Sequence, residues 1–244
     1  MTVTLVVPCY NEANRWDADR FRRLATIPDV QLLFVDDGSH DGTRLRIQEL
    51  VDSEGQLALF VPVNAGKAEA VRAGLLSALD TGTSHAVGFI DADGAFGVED
   101  VKRMVAMSAT RFAEGFDALW SSRVALSGRR IERRTSRHYI GRLVATALST
   151  AYPDLPYDSQ SGFKVFSASP QLRECLDQPF DTRWVFEVEL LLRWQRFVGT
   201  SMRIWEEPVM EWRDVPGSKI RGRESARIMT ELYAVWRQSR RDPS

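Results

Sequence analysis

Short apolar runs alternate with longer segments of helical periodicity through the first half of the chain. The runs contain many β-branched residues and end in turn-forming residues, a pattern typical of buried strands. They cover residues 2–8, 31–36, 57–61, 86–91 and 116–123. The segments between them place apolar residues at helical spacing, as in Val71, Leu75 and Ala78. Strands that alternate with helices require crossover connections, so the pattern predicts a mainly parallel sheet flanked by helices.

The alternation becomes irregular after residue 123. We expect an arginine-rich helix at 129–150, a loop at 152–160, helices at 184–196 and 223–240, and short strands at 161–166 and 202–205. No internal repeat, low-complexity tract or linker separates the two halves. The 244 residues are therefore expected to fold as a single α/β domain that ends in an amphipathic helix.

The composition excludes several classes of protein. A formal net charge of −1 provides no basic field for non-specific nucleic-acid binding, so no nucleic-acid partner is expected. Cys9 and Cys175 are too few for a disulfide framework and indicate buried thiols in a reducing compartment. The chain shows neither a signal peptide nor an apolar stretch near the roughly 20 residues that span a bilayer. We expect a cytoplasmic protein, with any membrane contact peripheral and on the inner membrane face.

Two carboxylates follow the fourth apolar run. Residues two apart on an extended segment point to the same side, so Asp91 and Asp93 can face one cation while Ala92 points away. Mg²⁺ or Mn²⁺ is commonly held by one or two carboxylates, with phosphate oxygens completing the shell. Two aspartates before a glycine also form an ordinary turn, so the pair alone leaves both interpretations open.

Polar residues follow each of the first four predicted strands, which favours the ligand-binding interpretation. They are Asn11 and Glu12, then Asp36 to Ser39, then Asn64 to Lys67, and finally Asp91 and Asp93. Ligands of parallel sheets bind beyond the carboxyl ends of the strands, so these loops are expected to form one site. Asp36 and Asp37 suit hydrogen bonds from a nucleobase and a ribose, although one of them would suffice as a helix cap. The spacing around Gly66 and Lys67 does not match a phosphate-binding loop, and no G-x-G-x-x-G occurs, which excludes the ATPase and dinucleotide classes.

A series of motifs runs along the chain in a fixed order. They are Val7-Pro8-Cys9-Tyr10-Asn11-Glu12, Asp36-Asp37-Gly38-Ser39, Asn64-x-Gly66-Lys67, Asp91-Ala92-Asp93-Gly94, Ser122-Arg123, Asp158-Ser159-Gln160-Ser161-Gly162-Phe163-Lys164 and Gly217-Ser218-Lys219. Together they resemble family 2 glycosyltransferases of the GT-A fold, which is Rossmann-like. The resemblance is to the dolichyl- or polyprenyl-phosphate β-glucosyltransferases and the related polyprenyl-phosphate mannosyltransferases.

The resemblance implies an inverting, metal-dependent hexosyltransferase. Residues 1–123 would bind the nucleotide sugar, UDP-glucose in the first place and GDP-mannose in the second, and residues 124–244 would bind the acceptor. The expected donor-binding residues are Pro8, Tyr10, Asn11, Glu12, Asp36, Asp37, Gly66, Lys67, Asp91, Ala92, Asp93 and Arg123. Among them Asp91 and Asp93 would hold the metal, and Arg123 would lie near the phosphates. The segment 67–70 and Phe96 depart from the usual sequence of this branch.

Asp158 is the candidate catalytic base, with a plain turn carboxylate as the alternative. A hydroxyl acceptor benefits from such a base, typically by about 10²–10⁴-fold. A phosphate monoester, whose second pKa is about 6, is already largely ionised at neutral pH. Polyprenyl phosphate is the preferred acceptor, and a soluble hydroxyl-bearing metabolite is the second choice.

The residues expected to bind the acceptor lie in the second half of the chain. The expected acceptor-binding residues are Arg130, Arg134, Gln160, Glu187, Ser218 and Lys219. The arginine face of the 129–150 helix and the apolar side of the last helix suit either an anionic membrane surface or ordinary packing and solvation. A sugar-phosphate nucleotidyltransferase and a non-catalytic nucleotide-sugar-binding protein remain as alternative functions.

Overall fold

The structure is a computed structural model that describes residues 1–132, 155–213 and 231. Its strands are β1 (Val3–Cys9), β2 (Val30–Asp37), β3 (Leu57–Val61), β4 (Ala86–Ile90), β5 (Ala118–Ser122), β6 (Arg130–Glu132), β7 (Phe163–Ser167), β8 (Ile204–Pro208) and β9 (Glu211–Arg213). Its helices are α1 (Ala18–Ala25), α2 (Thr43–Glu54), α3 (Lys67–Asp80), α4 (Val98–Ala113), α5 (Pro170–Leu176) and α6 (Phe186–Val198).

Within the described residues the main sheet has the order β3-β2-β1-β4-β7-β5-β8. β1 pairs in parallel with β2 and β4, β2 with β3, and β5 with β8. β7 runs antiparallel to both of its neighbours, β4 and β5. The predicted mainly parallel sheet is therefore confirmed, and β7 comes from the half of the chain in which the alternation breaks down.

Helices cover both faces of the sheet, which explains why the strands are apolar on both sides. Leu5 and Val7 face the core under α1, α2 and α4, whereas Val6 faces the core under α3, α5 and α6. Helix α3 lies very close to the sheet, because a Cβ on Gly74 would meet Val6 Cγ1 at 2.4 Å. This close packing fixes the position of Lys67 at the start of the helix.

The predicted helix at 129–150 is wrong at its beginning. Arg130–Glu132 form strand β6, which pairs in parallel with β9. Ile131 is partly buried and packs against the core with Trp212, whereas Arg130 and Glu132 on either side are exposed, the period of two expected of a strand. The rest of that segment, with Arg134, lies outside the described residues, and so do Ser218, Lys219 and nearly all of the predicted last helix. Within residues 1–132 and 155–213, no helix combines the length and apolar character needed to cross a bilayer.

Candidate active site

The loops after β1 and β2 are joined by side-chain hydrogen bonds. Asn11, in the left-handed region at φ 50°, donates its backbone N–H to Ser39 Oγ at 2.9 Å and accepts the His40 N–H on Oδ1 at 2.9 Å. The Glu12 N–H donates to Thr43 Oγ1 at 2.7 Å, and the Glu12 carboxylate pairs with Arg15. These two predicted donor residues therefore lie at the expected sheet edge, where their polar groups hold the loops together.

Asp37 braces the loop that leads to Lys67. Its carboxylate accepts the N–H groups of Ala65 and Gly66, both at 2.8 Å, and Asn64 Nδ2 at 2.9 Å. Burial raises the pKa of Asp37, and the two backbone hydrogen bonds offset part of that effect. Asp37 therefore sets the shape of the loop, and a direct contact with a nucleoside stays a prediction.

The remaining donor-side predictions also fall at this edge of the sheet. Asp36 is buried and accepts the Ser39 N–H at 3.2 Å. Pro8 pairs with Val35 within the sheet, and Tyr10 follows the end of β1. Gly38 allows the close approach of the neighbouring loop, because a Cβ there would lie 2.7 Å from the Asn64 backbone nitrogen.

Asp91 and Asp93 stand directly beyond the carboxyl end of β4, with Ala92 between them. The Asp91 N–H donates to Gly162 O at 2.9 Å, which ties this turn to the loop before β7. Asp91 Oδ1 lies 2.6 Å from Lys67 Nζ, and Asp93 Oδ1 accepts the Ala95 N–H at 3.0 Å. The loop after β3 and the turn after β4 therefore meet at one ion pair.

The Asp91–Asp93 turn shifts the pKa values of its own Asp93 and of the neighbouring Lys67. Burial raises the pKa of Asp93, and the nearby charge of Asp91 raises it further. Burial would lower the pKa of Lys67, but the charges of Asp91 and Glu187 outweigh it and the pKa is raised. Two closely placed carboxylates at a sheet edge suit a hard divalent cation. Among the described residues no cluster of three or more His, Cys, Asp or Glu side chains is placed to hold a metal ion.

Arg123 and Asp158 form a two-pronged ion pair beside this turn. Arg123 Nε lies 2.7 Å from Asp158 Oδ2, and Nη2 lies 2.6 Å from Oδ1. The Arg123 N–H also donates to Oδ2 at 2.8 Å. Burial would lower the pKa of Arg123, but the charge and hydrogen bonds of Asp158 raise it. Both oxygens of Asp158 are thus engaged by a permanent cation, an arrangement that fixes the guanidinium but leaves the carboxylate poorly placed to accept a proton.

Lys164 lies buried beneath the site. Its Nζ is 3.4 Å from Glu187 Oε1, donates to Ser161 O, and lies 4.4 Å from the centre of the Trp120 ring. Burial lowers the pKa of Lys164, and the charge of Glu187 opposes that effect. Lys164 therefore links the 158–162 loop, through Ser161 O, to Glu187 on α6. Glu187, predicted to bind the acceptor, is only 3% exposed, so such a contact stays a prediction.

Two further acceptor-side predictions fall on described residues. Gln160 is half-buried in the loop after Asp158, and its Nε2 has no hydrogen-bond partner among the described residues. Arg130 is exposed on β6, with Nη1 3.7 Å from Glu211 Oε1. Neither contact identifies a ligand, so both acceptor-binding assignments stay predictions.

Several charged residues of the site belong to none of the predicted sets. Arg15 pairs with Glu12, and its pKa is raised by that hydrogen bond and by the charges of Glu12, Asp93 and Asp91. Glu206 accepts the N–H groups of Tyr157 and Asp158 at 2.9 Å and 2.7 Å. Lys164 in the apolar strand β7 indicates a buried ion pair, because a charge in such a strand needs a buried partner. Arg15 and Glu206 carried no comparable signal.

Solved glycosyltransferase structures share this fold. Glucosyl-3-phosphoglycerate synthase from Mycobacterium tuberculosis, in complex with Mn²⁺, UDP and glucosyl-3-phosphoglycerate, is 22% identical, with a TM-score of 0.66 over 96% of this chain and 79% of that chain. A mannosyltransferase from Pyrobaculum calidifontis, in complex with GDP-Man and Mn²⁺, is 19% identical, with a TM-score of 0.63 over 99% of this chain and 65% of that chain. TarS from S. aureus, in complex with UDP-GlcNAc, is 15% identical, with a TM-score of 0.55 over 96% and 66%.

No curated protein matches the sequence. The family model described as glycosyl transferase family 2 matches residues 4–176, which include β1 from its second residue, strands β2 to β7 and every residue predicted to bind the donor. The predicted family is therefore confirmed: the chain belongs to glycosyl transferase family 2 and is a glycosyltransferase.

Proposed function

We propose that the protein is an inverting, metal-dependent hexosyltransferase that uses UDP-glucose and transfers glucose to polyprenyl phosphate. The observation that carries the acceptor class is the Arg123–Asp158 pair. Because both Asp158 oxygens are held by Arg123, the described site offers no free carboxylate in the place expected for a base. An acceptor that arrives already ionised, as a phosphate monoester does at neutral pH, does not need one.

The donor side supports a nucleoside diphosphate sugar. Asp91 and Asp93 would hold Mg²⁺ or Mn²⁺, which when bound stabilises the charge that develops on the departing diphosphate. Lys67, Arg15 and Arg123 place fixed positive charge around the same edge of the sheet. UDP is favoured by the neighbouring synthase, whose structure holds UDP and Mn²⁺, and GDP-mannose remains the second choice because the mannosyltransferase binds GDP-Man.

Isothermal titration with UDP-glucose tests the metal and donor. We expect the wild-type protein to bind UDP-glucose in the presence of Mn²⁺ and much more weakly in EDTA. Asp91→Asn and Asp93→Asn should each lose most of the Mn²⁺-dependent affinity, whereas Glu49→Gln, an exposed carboxylate on α2, should not. Unchanged Mn²⁺ dependence when Asp91→Asn and Asp93→Asn are combined in one protein would refute the metal site. Binding without transfer to any acceptor would refute the enzymatic function.

A radiolabelled transfer assay tests the acceptor. With UDP-glucose and Mn²⁺, the protein should glucosylate a short-chain polyprenyl phosphate in detergent. Asp158→Asn should lower kcat by less than about 10²-fold, because its loss frees Arg123 without removing a base. Transfer confined to soluble hydroxyl acceptors would overturn the lipid assignment.

Transfer to a soluble hydroxyl acceptor is the second candidate. It is favoured by the similarity to glucosyl-3-phosphoglycerate synthase, which spans 96% of this chain. In that case Asp158 has to leave Arg123 to act as a base, and Asp158→Asn should lower kcat by about 10²–10⁴-fold. Assaying 3-phosphoglycerate beside polyprenyl phosphate separates the two candidates.

The lipid acceptor would place the reaction at a membrane surface on the cytoplasmic side. Peripheral binding to anionic vesicles, measured by co-sedimentation at low salt, is the expected result. Failure to bind would remove the membrane contact while leaving the donor chemistry intact.

A further inference from the structure

The Lys67 side chain forms an ion pair with Asp91, one of the two carboxylates proposed to bind the metal. It is the first residue of α3, and its Nζ lies 2.6 Å from Asp91 Oδ1. The two side chains are 31% and 29% exposed, so the ion pair is at the open edge of the sheet. The preceding Gly66, at φ +97°, turns the chain from the loop braced by Asp37 into the helix, which fixes where the lysine side chain begins.

The other oxygen of Asp91 faces the protein. A Cβ on Gly162 would lie 2.1 Å from Asp91 Oδ2, which shows how closely this carboxylate packs on the Gly162 backbone. The Asp91 N–H is also tied to Gly162 O. The carboxylate is therefore confined between Gly162 and Lys67. A cation that approaches the outward oxygen Oδ1 competes with the lysine ammonium for it.

A second anion also attracts Lys67. Glu187 contributes to the electrostatic attraction on the lysine, after Asp91. Its Oε1 faces Lys164, whereas its buried Oε2 accepts no hydrogen bond from any described residue. When the ammonium leaves Asp91, two anionic groups can attract it: the diphosphate of a donor and the Glu187 carboxylate.

We propose that Lys67 is a built-in counter-ion that keeps Asp91 closed to the metal until a donor diphosphate draws the ammonium away. The inference rests on the proposed function of the site. Metal and donor then bind cooperatively, because each favours the arrangement in which Lys67 has left Asp91. Such coupling is reciprocal: the donor raises the affinity for the metal by the same factor as the metal raises the affinity for the donor.

Titration of Mn²⁺ into the protein without donor tests the inference. Lys67→Met should bind Mn²⁺ about tenfold more tightly than the wild type, the gain expected if Lys67 occupies Asp91 in about 90% of free molecules. Lys67→Arg keeps the charge and should bind Mn²⁺ as weakly as the wild type. Lys102→Met changes the net charge equally at an exposed position on α4 and should also match the wild type.

Thermal unfolding distinguishes the counter-ion role from a structural one. In EDTA, Lys67→Met should unfold at a lower temperature than the wild type, because Asp91 and Asp93 lose their cation. Mn²⁺ should then raise its melting temperature by more than it raises that of the wild type. A lower melting temperature that Mn²⁺ restores no better than in the wild type would indicate a structural role and overturn the inference.

Mn²⁺ binding with and without UDP-glucose distinguishes a failure of the Lys67 counter-ion role from a failure of the metal site. If Lys67→Met binds Mn²⁺ equally or more weakly than the wild type, while both bind Mn²⁺ in the presence of UDP-glucose, the counter-ion role is overturned and the enzyme stands. If the wild type binds no Mn²⁺ even with UDP-glucose present, the metal site is overturned, and the inference with it.

Discussion

Removing the cation of the buried Lys164–Glu187 ion pair should strongly destabilise the protein. Lys164 is fully buried and Glu187 is 3% exposed, so neither charge is solvated by bulk water. Lys164→Met removes the cation and leaves the Glu187 carboxylate in the interior, where an uncompensated charge costs about 3–5 kcal/mol. A domain of this kind has a free energy of unfolding of about 5–15 kcal/mol, so the variant loses a large part of its stability.

Replacing the anion instead should cost less. Glu187→Gln leaves the Lys164 ammonium with its hydrogen bond to Ser161 O and its contact with the Trp120 ring. Burial already lowers the pKa of Lys164, so the lysine can release its proton more easily than a surface lysine. We expect a loss of about 1–3 kcal/mol, the usual penalty for a weakened buried hydrogen bond.

The double variant Lys164→Met with Glu187→Gln completes the cycle. It removes both charges, so it should be more stable than Lys164→Met alone, and the two single effects should not add. Urea unfolding followed by circular dichroism provides the three free-energy changes. A single Lys164→Met loss below about 1 kcal/mol, or additive effects in the double variant, would refute the argument that the two charges are held together in the interior.

Three further predictions concern other parts of the molecule. Gly162→Ala should lower the Mn²⁺-dependent affinity for the donor by about tenfold or more, because the added Cβ would lie 2.1 Å from Asp91 Oδ2. Titration with UDP-glucose in the presence of Mn²⁺ measures this loss. Asp37→Asn should lower stability by about 1–3 kcal/mol in urea unfolding, since an amide cannot accept all the donors of the 64–66 loop, and an unchanged midpoint would contradict the bracing role. Burial raises the pKa of Cys175 to about 12, so the native thiol keeps its proton after the unfolded thiol, with a pKa of about 9, has lost it. This raised pKa makes stability fall by up to about 1.4 kcal/mol per pH unit above pH 9, and Cys175→Ala should show a smaller fall in unfolding curves at pH 8 and pH 10.

The cluster of polar residues beyond β1 to β4 could be predicted from the sequence because its determinants are local. Each carboxylate lies directly after its own strand, and parallel strands bring their carboxyl ends to one edge of a sheet. The pairing of Lys67 with Asp91 and the bracing of the 64–66 loop by Asp37 confirm that these loops meet. The direct nucleoside contacts of Asn11, Glu12 and Asp37 stay predictions, because their polar groups are engaged within the protein.

The structure after residue 123 could not be predicted in the same way. Residues 129–150 carry helical spacing of arginines, yet Arg130–Glu132 form a strand because β9 offers a hydrogen-bonding edge from far along the chain. Such pairings depend on tertiary contacts, which override local propensity in short segments.

The sequence by itself determined the alternation of strands and helices, the mainly parallel sheet and the single edge at which Asp91 and Asp93 meet the earlier loops. These features follow from periodicity and from residues close together in the chain. Only the tertiary structure decided which charges pair: Arg123 with Asp158, Lys164 with Glu187, and Lys67 with Asp91. β7 lies antiparallel between β4 and β5, which brings the 158–162 loop against the Asp91 turn. The energy of an ion pair depends on the distance between the charges and on their burial. Neither quantity can be read from the spacing of residues along the sequence.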